Sequence, residues 1–292
     1  MALNIQTFKT RALTAIIFVI VMLGLLLYNH WTFFLLFTII HFGCWIEFQQ
    51  LMKRIDVNYA ETNPIIEYGV MILGFGFMLM HTNKAYLLLN FHLHDTAPYV
   101  IGFAGLVLII TSLLTYQSSN NKAIYHSIFG LLYISFSWSL MISLRNKGMV
   151  FKGNTLAIDF GWIIPMVLIA AIWINDTMAY IVGSFIGKTP LSAISPKKTW
   201  EGTIGGAILA IVTVTVVGNW VLEILNLKTL LIISTCAAII GTLGDLLESK
   251  LKRLANVKDS GSFMPGHGGF LDRFDSLLLA TPVVYFLLKL ID

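Results

Sequence analysis

Charged side chains are concentrated in residues 248–275 of this 292-residue chain, which hold nine of its 34 charged residues. They are the bases Lys250, Lys252, Arg253, Lys258 and Arg273 and the acids Glu248, Asp259, Asp272 and Asp275. Asp272 and Asp275 are three residues apart and share a face if a helix begins there. Asp245 and Ser249 stand one helical turn apart just upstream. Because Mg²⁺ is commonly held by one or two carboxylates together with substrate phosphates, this stretch predicts a site for Mg²⁺ and phosphate groups.

A second polar stretch, residues 174–206, interrupts the apolar sequence further upstream. Asp176 lies inside a long apolar run, where an ionisable group is costly and usually functional, although a helix-joining hydrogen bond would also explain it. The segment Ser195–Gly202 carries Lys197, Lys198 and Glu201 at the start of the next apolar run. The two lysines are either phosphate ligands or long side chains that anchor a helix end at the membrane surface.

The composition shows which kind of element must position these residues. Hydrophobic residues make up 57% of the chain and charged residues 12%, with a mean hydropathy of +0.80. A soluble domain has about 25% charged residues, which excludes a cytosolic enzyme, a disordered protein and a disulfide scaffold. Cys44 and Cys236 both lie in apolar runs and are interpreted as small buried hydrophobic residues. We therefore predict an all-α, polytopic integral membrane protein.

Apolar runs of about 17–25 residues form membrane-spanning helices, because hydrocarbon offers the backbone no other hydrogen-bond partners. The chain is predicted to form one membrane domain over residues 1–292, in which 1–150 supply N-terminal helices and 160–292 supply helices that carry the polar motifs. Nine spans are predicted, at about 12–28, 31–52, 65–81, 98–116, 125–144, 161–186, 203–224, 229–247 and 275–291.

The loop charges predict the orientation. With the N-terminus inside, 13 of the 19 Lys and Arg residues fall on the inner side, which matches the excess of positive charge in cytoplasmic loops. Both polar stretches then face the cytoplasm. The net charge of +4 suits anionic inner-leaflet lipids and does not indicate a nucleic-acid partner.

Several polar segments together resemble the phosphatidate cytidylyltransferase (CDP-diacylglycerol synthase) family. The segments are Gly244-Asp245-Leu246-Leu247-Glu248-Ser249-Lys250-Leu251-Lys252-Arg253, Lys258-Asp259 and Pro265-Gly266-His267-Gly268-Gly269-Phe270-Leu271-Asp272-Arg273-Phe274-Asp275. Asp176-Thr177, Ala179-Tyr180, Ser195–Thr199 and Glu201-Gly202 resemble upstream family segments. Two positions depart from the pattern: Met264 replaces another apolar residue, and Ser184 stands where many members carry a base.

The resemblance implies transfer of CMP from CTP to phosphatidic acid, giving CDP-diacylglycerol and pyrophosphate at the cytoplasmic side of a bacterial-type inner membrane. It implies Mg²⁺, an assisting monovalent cation such as K⁺, and a homodimer. The catalytic residues are predicted to be Asp245, Asp272, Asp275 and Asp176, the first three as metal ligands. The substrate-binding residues are predicted to be Lys197, Lys198, Glu201, Ser249, Lys252, Arg253, Lys258, His267 and Arg273.

Other interpretations remain open at this point. A CDP-alcohol phosphotransferase would also need interfacial aspartates, but its Asp-x-x-Asp-Gly-x-x-Ala-Arg pattern is absent from the sequence. A transporter would use Asp176 as an ion or proton site, but the sequence has no repeated halves. Glu47, inside the second apolar run, either faces the same cleft or lies at a helix end. His92 and His94 have no third nearby metal ligand in the sequence.

Overall fold

The computed structural model of the protein describes residues 5–115, 120–153, 155–263 and 268–291, leaving out the side chains of residues 5–12 and 120–122. Most of these residues are helical. The helices are α1 (Ile5–Tyr28), α2 (His30–Ile55), α3 (Val57–Ala60), α4 (Pro64–Met80), α5 (Leu93–Leu114), α6 (Asn120–Gly130), α7 (Phe136–Asn146), α8 (Ile163–Ile186), α9 (Trp200–Val221), α10 (Leu227–Leu254) and α11 (Leu271–Ile291). A π-helical turn, Leu131–Ser135, joins α6 to α7.

Two short antiparallel hairpins are the only paired strands among the residues that the structure describes. Strands β1 (Leu87–Leu88) and β2 (Phe91–His92) form the first hairpin. Strands β3 (Met149–Lys152) and β4 (Thr155–Asp159) form the second, with a register irregularity between Val150 and Phe151. The prediction of a helical protein is therefore confirmed for the described residues, in which the strands are confined to connections between helices.

Seven helical stretches in the described ranges are long and apolar enough to cross a membrane. They are His30–Ile55, Leu93–Leu114, Ala123–Asn146, Ile163–Ile186, Trp200–Val221, Leu227–Leu254 and Leu271–Ile291. Leu13–Tyr28 and Pro64–Met80 are also apolar helices but are shorter. The prediction of a polytopic helical membrane protein is confirmed at this level, and a total of nine spans stays a prediction.

The contacts divide the chain into two compact units, each with its own core. Unit 1 contains residues 1–162 and 254–273, and unit 2 contains residues 163–253 and 274–292. In unit 1 the side chains of Phe37, Trp45 and Trp138 are fully buried. In unit 2 Leu168 and Ile233 are fully buried.

Local sequence signals explain where helices of unit 1 begin. At the start of α2, Asn29 Oδ1 accepts a hydrogen bond from the Thr32 amide (2.9 Å), and Thr32 Oγ1 accepts one from the Asn29 amide (3.2 Å). Such reciprocal capping satisfies backbone donors that have no partner inside the helix. At the start of α4, Asn63 accepts from the Ile65 amide (2.9 Å), and Pro64 occupies the first turn.

A buried ion pair connects the end of α7 to the end of β4 in unit 1. Arg145 is 1% exposed, and its two terminal nitrogens donate to the two carboxylate oxygens of Asp159, with Nη2 to Oδ2 at 2.6 Å. Partial burial raises the pKa of Asp159, but the hydrogen bonds and charge of Arg145 outweigh it, so the net pKa lies below the usual value. The pair therefore stabilises the folded state above the ordinary carboxyl pKa, and this contribution is lost as the pH falls through the lowered pKa.

Asp159→Asn is expected to lower the free energy of unfolding by about 2–3 kcal/mol at pH 7, because it removes the charge that compensates a buried guanidinium. Thermal unfolding in detergent checks this, with Asp95→Asn as a control at an aspartate whose side chain is 62% exposed. The difference between wild type and Asp159→Asn should shrink as the pH is lowered below about 4. Equal unfolding temperatures of wild type and Asp159→Asn at pH 7 would show that the ion pair does not stabilise the fold.

Candidate active site

Three carboxylates of unit 2 come together where α10 lies against the first turns of α11. Asp245 and Glu248 are three residues apart on α10 and therefore share a helix face. Asp275 lies near the start of α11. One oxygen of each residue lies within 4.8 Å of the others, and these three residues are called the acidic group below. Glu248 is fully buried and Asp275 is 8% exposed, so the group concentrates negative charge away from solvent.

Close approach of the two helices depends on Gly244, the residue before Asp245. A Cβ atom at this position would lie 2.5 Å from the backbone oxygen of Asp275, which is closer than a carbon atom can approach an oxygen that it is not bonded to. Glycine thus allows the α10 backbone to contact the α11 backbone directly, as small residues commonly do between membrane helices. The contact places Asp245 beside Asp275.

Two lysines compensate the charge of the acidic group. Lys198 Nζ forms an ion pair with Asp245 Oδ2, and Lys252 Nζ forms one with Glu248 Oε2. Ser249 Oγ donates to Asp245 Oδ1 at 3.4 Å. Asp275 interacts electrostatically with Asp176, Lys198 and Lys252. Buried carboxylates persist only when paired or hydrogen-bonded, and these cations meet that requirement.

The loop between α8 and α9 holds Lys198 in place. Its ends are joined by backbone hydrogen bonds from Leu191 to Lys198 (2.8 Å) and from Trp200 to Thr189 (2.9 Å). In the first turn of α9, Glu201 accepts from the Thr189 hydroxyl (2.9 Å) and from the amides of Lys188 and Thr189. Glu201 therefore organises this loop through its own carboxylate.

The acidic group has the donor chemistry that a magnesium ion requires. Mg²⁺ prefers oxygen ligands and is usually bound through one or two carboxylates plus water and substrate phosphates. Asp245, Glu248 and Asp275 offer such oxygens at mutual distances that one ion can bridge. Since Glu248 is buried and faces the same point, a divalent cation would offset charge that the two lysines only partly balance. The residues fit Mg²⁺.

A second carboxylate arrangement lies in unit 1 at the start of α11. Residues 258–263 and 268–270, called the approach segment here, precede this helix. Asp272 Oδ2 accepts three hydrogen bonds from the segment: from the amides of Ser260 and Gly269 (both 2.8 Å) and from Ser260 Oγ (2.9 Å). Gly268 has φ +83°, and a Cβ there would lie 2.4 Å from Asp272 Oδ2. The Asp272 carboxylate thus orders the backbone that leads into α11.

The match to a family of known proteins covers nearly the whole chain. The model of the cytidylyltransferase family matches residues 9–291. The chain belongs to the cytidylyltransferase family. A relative named phosphatidate cytidylyltransferase, from Staphylococcus saprophyticus, is 32% identical over 96% of this chain and 98% of its own length.

Two further relatives that carry the name phosphatidate cytidylyltransferase match more locally. The Bacillus subtilis protein is 36% identical over 64% of this chain, and the Synechocystis sp. protein is 44% identical over 45% of it. These alignments span 66% and 45% of the two relatives, which is less than two thirds of their lengths.

The structure brings some of the predicted site residues together and places others apart from them. Asp245, Asp275, Lys198, Ser249 and Lys252 lie in or against the acidic group. Asp176 lies on α8 with an exposed side chain, close enough to Asp275 for an electrostatic interaction. Asp272 is not one of the three clustered ligands, and its part in metal binding stays a prediction.

Most of the remaining predicted substrate ligands are exposed. They are Lys197, Arg253, Lys258 and Arg273. His267 lies outside the described residues. Substrate binding by these residues and by Glu201 stays a prediction.

Sequence reasoning missed Glu248 as a member of the acidic group. Its three-residue spacing from Asp245 was a usable signal, because helical residues three apart share a face. The closeness of Asp275 to both residues had no comparable signal, since it depends on how α10 packs against α11.

Proposed function

We propose that this protein is a phosphatidate cytidylyltransferase, a nucleotidyltransferase that joins CTP to phosphatidic acid and releases pyrophosphate. Family membership and the names of its relatives support the reaction class. The proposal depends on the acidic group and its two lysines. These residues come from the polar segments that resemble the family, and in the structure they form one cluster. Phosphoryl-type transfers depend mainly on positioning and charge neutralisation, which such a cluster provides.

In the proposed reaction, a phosphate oxygen of phosphatidic acid attacks the α-phosphorus of CTP. A new phosphorus–oxygen bond forms, the bond to the α,β-bridging oxygen breaks, and its electron pair leaves with pyrophosphate. Lys198 and its chain neighbour Lys197 are proposed to neutralise charge on the triphosphate. Lys252 is ion-paired to Glu248 and is proposed to orient it. Lys258, Arg253 and Arg273 are proposed as further phosphate contacts, and Ser249 orients Asp245.

Mg²⁺ held by Asp245, Glu248 and Asp275 would supply positive charge that stabilises the phosphate oxygens as the transfer proceeds. Asp272 and Asp176 are proposed to assist at the same reaction, and K⁺ is expected as a second cation. The three carboxylates would hold the ion in position, and their oxygen atoms favour Mg²⁺ over cations that prefer nitrogen or sulfur ligands.

Purified protein is expected to form CDP-diacylglycerol and pyrophosphate from CTP and phosphatidic acid in the presence of Mg²⁺, and to lose this activity when EDTA removes the metal. Radiolabelled CTP in mixed micelles measures the product, and restored Mg²⁺ should restore turnover. Diacylglycerol in place of phosphatidic acid is the matched control, because it lacks the attacking phosphate. Turnover that persists in EDTA would contradict the metal assignment, and no turnover with either lipid would contradict the activity.

We further propose nine membrane spans with a cytoplasmic N-terminus, in a bacterial-type inner membrane and with the active site facing the cytoplasm. The inner-side excess of Lys and Arg supports this orientation. The nucleotide substrate requires the same side, since CTP is cytoplasmic. A homodimer is proposed from the family resemblance, and cross-linking of the purified protein tests it.

Single cysteines are expected to report the proposed orientation. Cysteine in place of Ser262, an exposed residue of the approach segment, should react with an impermeant thiol reagent only after cells are opened. Cysteine in place of Thr155, exposed in the β3–β4 hairpin, should react in intact cells. Cys44 and Cys236 are buried, so the wild-type protein serves as the unlabelled control. Labelling of the Ser262 variant from outside would overturn the orientation.

A further inference from the structure

Glu47 is a buried carboxylate of unit 1 that no step of the proposed reaction uses. It lies on α2, is 6% exposed, and accepts three hydrogen bonds from a distant part of the chain. The donors are the Phe270 amide to Oε1 (2.8 Å), the Leu271 amide to Oε2 (2.9 Å) and Ser260 Oγ to Oε2 (2.7 Å). The two amides stand at the start of α11, where backbone donors have no partner inside the helix. Glu47 thus caps α11 from another helix.

The two glycines beside the Glu47 carboxylate could not carry a side chain. A Cβ on Gly261 would lie 2.3 Å from Glu47 Oε1, and a Cβ on Gly269 would lie 2.2 Å from both carboxylate oxygens. One turn earlier on α2, a Cβ on Gly43 would lie 2.5 Å from the ring of Phe270. The approach segment therefore fits against α2 through both its backbone and an aromatic side chain.

Ser260 connects this carboxylate to a second one. Its single hydroxyl hydrogen is shared between Glu47 Oε2 (2.7 Å) and Asp272 Oδ2 (2.9 Å), and its amide donates to Asp272. Glu47 and Asp272 together bind Ser260, Gly269, Phe270 and Leu271. Burying a charge on a membrane helix is costly, and a residue that only filled space would be apolar. The three hydrogen bonds described above for the Glu47 carboxylate all come from the approach segment and from Leu271, which follows it.

We propose that Glu47 is a positioning residue for the proposed cytidylyl transfer, on which this inference rests. By capping α11 and binding Ser260, it holds the approach segment so that Lys258 at its beginning and Arg273 just after it keep a fixed separation. Both cations are exposed. Glu47 contacts the backbone of the segment and not the substrate. It therefore affects the reaction by positioning the side chains of Lys258 and Arg273.

Glu47→Gln in the purified full-length protein tests this. The amide keeps one acceptor oxygen, but its nitrogen cannot accept from a backbone amide, so at least one of the three hydrogen bonds is lost. We expect amide exchange in residues 268–271 to become about 10–100-fold faster, and kcat/KM for CTP per folded molecule to fall by a similar factor. Glu47→Asp, which keeps the carboxylate, should recover part of both.

Glu67→Gln is the matched control, because Glu67 is also a buried acid of unit 1 (7% exposed) but pairs with Lys53 on α2. It should leave exchange in residues 268–271 unchanged. Ser260→Ala removes the hydroxyl that contacts both carboxylates, and it decides the question if Glu47→Gln does not fold. The inference is overturned if amide exchange in residues 268–271 of Glu47→Gln and Ser260→Ala equals that of wild type. It is also overturned if exchange becomes faster in these two variants while kcat/KM stays within about twofold. Amide exchange is measured without substrate. If the wild-type protein does not use CTP, the proposed function fails, but the exchange result still tests the contacts of Glu47.

Discussion

Asp275→Asn is expected to lower kcat by about a hundredfold or more while the protein still inserts and unfolds near the wild-type temperature. Asp275 belongs to the acidic group, and a neutral amide is a weaker ligand for Mg²⁺ than a carboxylate. Metal ions contribute several kcal/mol to stabilising the transition-state charge in such reactions, so loss of one ligand should appear mainly in kcat. Initial rates over a range of Mg²⁺ concentrations measure the effect.

The matched control for this variant is Asp259→Asn. Asp259 is an exposed residue of the approach segment, and no role in binding substrate or metal is assigned to it. Its kcat should stay within about twofold of wild type, since exposed charges contribute little. If Asp275→Asn retains turnover within about threefold of wild type at limiting Mg²⁺, the acidic group does not bind the catalytic metal. Asp245→Asn and Glu248→Gln extend the test to the other two ligands.

Two adjacent lysines are expected to respond differently to the same substitution. Lys198→Gln should lower kcat by about a hundredfold, because the side chain is ion-paired to Asp245 and part of the acidic group's charge balance. Lys197→Gln should raise the KM for CTP or phosphatidic acid about two- to fivefold with little change in kcat, as for an exposed cation. Separate titrations of each substrate give the two constants.

Lys188→Gln provides the control for these lysine variants. Lys188 is exposed in the same loop, and only its backbone amide contacts Glu201. Its kinetic constants should match those of wild type. Equal effects of Lys197→Gln and Lys198→Gln on kcat would contradict a special role for the ion pair with Asp245.

The sequence alone was sufficient for the class of fold. Hydrocarbon leaves backbone groups no partner outside a helix, so apolar runs of sufficient length have one solution. The run predicted at 161–186 became α8 at Ile163–Ile186, and the run at 275–291 lies within α11. The run predicted as a span at about 65–81 became the helix Pro64–Met80, which is apolar but shorter than the seven candidate spans.

The polar motif in the sequence also contains the residues of the acidic group. Asp245 and Glu248 lie on one face because helical periodicity is a local property of the chain. What the motif could not distinguish is Asp272 from Asp275. Both lie in the first turns of α11, yet Asp272 binds Ser260 and Gly269 while Asp275 joins Asp245 and Glu248.

Only the tertiary structure decided which distant groups meet. Lys197 and Lys198 are neighbours in the chain, but Lys198 alone is seen paired with Asp245, 47 residues away. Glu47 lies 213 residues from Ser260 and 223 from Phe270, and its carboxylate was equally compatible with several roles in the sequence. Local periodicity follows from backbone geometry and can be predicted from the sequence. These contacts depend instead on close packing between distant segments, for example at Gly244 and Gly269, which no local sequence pattern predicts.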